Sequence, residues 1–75
     1  MEDFYSDSDT YNEIIDIGRR KEAKSIILRL GTIRFGTPDE TIKMTVNAIE
    51  DLERLQRLED RVFDASNWQE VVDTP

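Results

Sequence analysis

Glu22 and Lys24 carry the acid-x-lysine spacing of metal-dependent nucleases, in which an extended strand puts carboxylate and ammonium on one side of a metal-bound water. The surrounding pattern is helical instead, and on a helix two such side chains point about 200° apart. No preceding strand or partner aspartate accompanies them, so no catalytic role is expected. The carboxylate pairs Glu50-Asp51 and Glu59-Asp60 lack the turn glycine and alternating oxygen ligands of a calcium loop and read as a solvated helix face. Arg54, Arg57 and Arg61 alternate with Asp51, Glu53, Glu59 and Asp60 at spacings that allow surface ion pairs. Trp68, with Val71 and Val72 beside it, is expected to pack onto another helix rather than to stack on a ligand. The 75 residues include no His and no Cys, which removes the commonest proton shuttle, the commonest metal ligands and any disulfide. No catalytic residue, metal or cofactor is expected.

The formal charge of −7 is unevenly distributed. Met1 to Ile17 holds the acids Glu2, Asp3, Asp7, Asp9, Glu13 and Asp16 and no base, whereas Gly18 to Gly36 holds Arg19, Arg20, Lys21, Lys24, Arg29 and Arg34 against Glu22 alone. The rest of the chain is acidic again. A basic block between acidic ones is either a phosphate-contacting strip or a helix neutralised by its neighbours. The second reading is preferred, because nucleic-acid modules usually carry net positive charge and interleaved aromatics, and only Phe35 lies in the block.

The elements that must position these residues follow from the apolar periodicity. Residues 1–9 lack it and read as an acidic flexible tail, leaving 10–75 as one helical domain. One long helix is expected over about Tyr11 to Phe35, with Thr10 and Glu13 as a capping box and Gly36 as the left-handed residue that ends it. Gly18 and Gly31 weaken this helix, and Gly31 is a place where it bends or stops early. Pro38 suits a first helical position, giving a second helix over Pro38 to Val46. Asn47 with Glu50 caps a third over Ala48 to Phe63, and Ser66 with Gln69 starts a short fourth. The fold class is therefore all-α: one long N-terminal helix and two or three shorter ones.

So short a chain buries only about 60% of its unfolded surface. The long helix nevertheless has two apolar arcs, one with Ile15, Ala23, Ile26, Ile27, Leu30 and Ile33, the other with Ile14, Ile17, Leu28 and Phe35. The short helices are expected to cover one arc and a second copy the other, as a homodimer or higher oligomer. Ile14, Ile17, Ile27, Leu28, Leu30 and Phe35 are the residues expected at that contact. The rival surface is nucleic-acid contact through Arg19, Arg20, Lys21, Lys24, Arg29 and Arg34. The longest apolar run, Ile26-Ile27-Leu28, is far below the ~20 residues of a membrane span, and the Met1-Glu2-Asp3 start is unlike a signal peptide. No membrane association and a cytoplasmic location are expected.

Gly18 to Arg29, then Arg34-Phe35-Gly36, then Ile49 to Leu55 and Asp60 to Trp68 occur in an order that resembles a helical domain of unassigned function. That domain lies at the C-terminal end of Rpn-type proteins, the recombination-promoting nuclease and putative transposase family. The resemblance spans roughly Thr10 to Val72. It implies a module without a catalytic centre, since the family's nuclease core precedes this domain, so no active-site residue carries over. It further implies an oligomerisation or target-specifying element. A separately translated C-terminal product of such a protein can inhibit the full-length toxic nuclease, as in toxin–antitoxin and antiphage-defence systems. The chain, which starts at Met1, fits such a product, a free-standing relative or an excised piece.

Overall fold

A computed structural model describes residues 2–75 in backbone and 13–75 in side chain. The capping box expected at Thr10 and the flexible acidic stretch expected over residues 1–9 fall outside the described side chains. The chain forms four helices, α1 (Glu2–Phe35), α2 (Glu40–Ala48), α3 (Leu52–Val62) and α4 (Trp68–Val72), and no strand occurs among the described residues. The all-α architecture with one long helix and three short ones is the expected one.

The core is a single cluster in which Ala23 and Ile27 of α1 meet Ile42 and Val46 of α2, Leu55, Leu58 and Val62 of α3, and Trp68, Val71 and Val72 of α4. The pairing of α1 with α3 is the most extensive. Leu55, Leu58 and Val62 recur at steps of three and four, which aligns them on one face, and all three are fully buried. At about 1.5–3 kcal/mol for each large apolar side chain taken from water, burial of such residues across the cluster drives folding.

Several boundaries differ from expectation. Asp39 caps α2: its Oδ1 accepts the Ile42 N–H at 2.8 Å, which leaves Pro38 buried ahead of the helix rather than at its first position. The break between α2 and α3 lies at Ile49–Asp51, not at Asn47. Ile49 is extended (φ −73, ψ 125) and 5% exposed, so the turn drops its side chain into the core, and Asp51 caps α3 by accepting the Glu53 N–H at 3.1 Å. A capping pair chosen by spacing alone misses this, because burial of Ile49 sets the exit from α2. The α4 cap is Asn67, whose Oδ1 accepts the Glu70 N–H at 2.9 Å; Ser66 instead donates its own N–H to Glu70 Oε1 at 2.9 Å.

Gly31 neither ends nor shortens α1. The helix runs on to Phe35 and stops at Gly36, where φ is +90 and the N–H bonds the Thr32 carbonyl at 3.0 Å. That left-handed residue is the expected one, since glycine adopts it without a Cβ penalty.

Candidate interaction surface

The residues expected at a self-association face do not share one environment. Ile27 is fully buried in the core and is withdrawn from that role, because it faces α3 within the same chain. Leu28, Leu30 and Phe35 are half-buried and pack against the core. Phe35 is further committed by an edge-on contact with the Trp68 ring, centroids 5.6 Å apart at 67°. Ile14 and Ile17 remain open at 61% and 51% exposure. No residue from Glu13 to Glu22 is buried, and only Ile15 and Arg20 are half-buried, so this part of α1 lies at the margin of the bundle. At about 1.5 Å per residue it amounts to roughly 15 Å of helix. Ile33, read on one arc with Ala23 and Ile27, is 75% exposed, and Met44 and Phe63 are each 68% exposed; sequence periodicity did not single out the last two.

The six basic residues likewise divide. Arg34 donates from Nη1 to the carbonyls of Val62 and Ala65, the latter at 2.8 Å, and its guanidinium lies 4.9 Å from the Phe35 ring centroid. It therefore serves as a cap for the C-terminal end of α3, where carbonyls lack intrahelical donors and a cation is favoured. This corrects its assignment to a phosphate-contacting strip. Lys24 Nζ donates to the Asn47 carbonyl at 2.7 Å and ties α1 to the end of α2. Arg19 and Lys21 are both exposed but point about 200° apart on the helix. A continuous run in sequence thus yields no continuous strip. What the fold does bring together is an open groove between α1 and the end of α2, lined by Lys21, Lys24, Leu28 and Arg29 along with Thr32 and Asn47. Arg20 and Ile17 line its extension toward Glu50.

The acid–lysine pair is dispersed as expected on a helix, with Lys24 held by Asn47 and Glu22 exposed. Among the described residues no group of three or more acids is arranged to hold a metal ion. Glu59 is raised above the ordinary carboxylate range, chiefly by partial burial, then by Asp60 and Glu22 nearby. Arg54, Arg57 and Arg61 do not pair with the acids of α3 as their spacing suggested. Arg54 donates to the carbonyls of Thr74 and Val72 at 3.2 and 3.3 Å, and Arg57 to the Pro75 oxygen at 2.9 Å. Arg61 bridges Asp64 at 2.8 Å and Glu70 at 3.3 Å. The three arginines fasten the last turn and the residues after it onto α3.

Trp68 behaves as expected: it is 8% exposed, packs on α1, and donates its Nε1–H to the Gly36 carbonyl at 2.9 Å. No helix among the described residues is long and apolar enough to cross a membrane. Fold and surface together define a small all-α protein whose core is closed on one side of α1 and whose open side carries isoleucines and a basic groove. Comparison with protein-family models, with curated proteins and with solved structures found no match.

Proposed function

We propose that the chain is a non-catalytic helical interaction module that self-associates through the open side of α1. The observation that carries this reading is the exposure of Ile14 and Ile17, 61% and 51%, on a stretch of helix, Glu13 to Glu22, in which no residue is buried. Branched apolar residues spaced three apart, both facing water, form the start of a seam that a second helix covers favourably. Sedimentation equilibrium tests this directly. A dimer or higher oligomer is expected, and a strictly monomeric particle at high micromolar concentration would refute it.

The resemblance to the C-terminal domain of Rpn-type proteins extends the proposal to a partner. A module that pairs with its own kind also pairs with the same surface on a parent nuclease, and by occupying it blocks the parent's assembly. Co-expression with the nuclease then relieves toxicity, and substitution of Ile14 and Ile17 removes the relief. Nucleic-acid contact is the weaker reading, because Arg34 is engaged by α3 and Arg19 lies apart from the groove.

A further inference from the structure

We infer that the occupant of the open side of α1 is a second copy running antiparallel, with Ile14 of one chain against Ile17 of the other. The inference rests on the self-association proposed above and adds its partner, direction and register. Ile14, Ile17, Lys21, Lys24 and Leu28 follow one another at alternating steps of three and four, the spacing of a two-helix seam. This stripe lies about 120° round the helix from the core-facing Ala23 and Ile27, so a second helix can lie along it without displacing α3. The basic groove continues the same stripe: Ile17, Lys21, Lys24 and Leu28 all line it.

The direction follows from charge. Of the described charges beside this stripe, Glu13 precedes Gly18 and Arg20, Lys21 and Lys24 follow it, whereas Arg19 points away and Arg34 is engaged by α3. A parallel pair would set Glu13 against Glu13 and the three bases against one another. An antiparallel pair sets Glu13 of each copy against the bases of its mate, and like charges at close helical positions are as costly as opposite ones are favourable. The register then follows from the isoleucines. Placing Ile14 against Ile17 puts backbone position 10 level with position 21 and brings Glu13 beside Arg20 of the second copy.

The absence of native cysteine makes the test direct. Thr10→Cys and Lys21→Cys chains are mixed and oxidised at high micromolar concentration. The antiparallel register joins position 10 to position 21. Parallel pairing leaves these positions about 16 Å apart along the helix, beyond the reach of about 7 Å that a disulfide tolerates. A dominant 10–21 disulfide is expected. A dimer cross-linked 10–10 and 21–21 overturns the antiparallel arrangement while leaving self-association standing, and a monomer that never cross-links overturns both. A second measurement uses no cysteine. Glu13→Lys and Arg20→Glu each weaken the homodimer by about tenfold, because both copies' pairs become repulsive, whereas an equal mixture of the two variants restores it. Failure of the mixture to recover also overturns the register. Neither residue is buried, so both variants retain the core.

Discussion

The Trp68 ring fills the space that a side chain at position 31 would occupy: a Cβ built on Gly31 collides with Cη2 of the indole and lies 2.5 Å from Cζ2 and Cζ3. The glycine that weakens α1 by propensity is thus the one that lets α4 close on it. Gly31→Ala is expected to destabilise the chain by about 1–3 kcal/mol through overpacking. Gly18 meets nothing within 4 Å, and Gly18→Ala is expected to stabilise it by about 0.5–1 kcal/mol. Urea denaturation of the two variants checks the opposite signs.

Arg34 should behave as a structural residue. Arg34→Gln leaves the Val62 and Ala65 carbonyls without their charged donor, at an expected cost of about 1 kcal/mol. Arg34→Lys recovers only part of this, since an ammonium lacks the planar fork. A lower urea midpoint with an unchanged slope is the expected signature.

Replacing Ile14 and Ile17 together by Ser should abolish self-association without unfolding the monomer, because neither residue belongs to the core. Circular dichroism is expected to keep its helical signature at low temperature, while sedimentation shifts to the monomer mass. Loss of the helical signature would instead assign the pair a role in folding.

Glu59 predicts a pH effect of definite sign. Its folded pKa is raised, mainly by burial, so its ionisation opposes the folded state. The stabilising contribution is present in full below the unfolded carboxylate pKa and is lost as pH rises through the higher folded value. Glu59→Gln should therefore raise the melting midpoint at pH 7, and this advantage should disappear near pH 4. Its size is small, since the group is only partly removed from solvent.

Much of the architecture was legible in the chain itself. The period of apolar residues gave one long helix and two or three shorter ones. What stayed hidden depended on contacts between distant segments. The exit from α2 is set by where Ile49 can be buried, which spacing does not encode. Gly31 reads as a helix breaker until Trp68 is set beside it. The candidate surface was legible in part: Ile14 and Ile17 are open, but Ile27 was grouped with them although it lies in the core, because adjacent arcs on a helical wheel merge when the apolar residues number so many. Arg34 was grouped with its basic neighbours by sequence, whereas its partners lie 28 and 31 positions away.

The bond from Trp68 to Gly36 joins the sole indole of the chain to the residue at which the long helix stops. Its emission therefore reports a single event, the seating of the final helix on the end of the first. Because that contact lies far along α1 from Ile14, intrinsic fluorescence distinguishes loss of the internal fold from loss of the proposed mate, with no label added to the molecule.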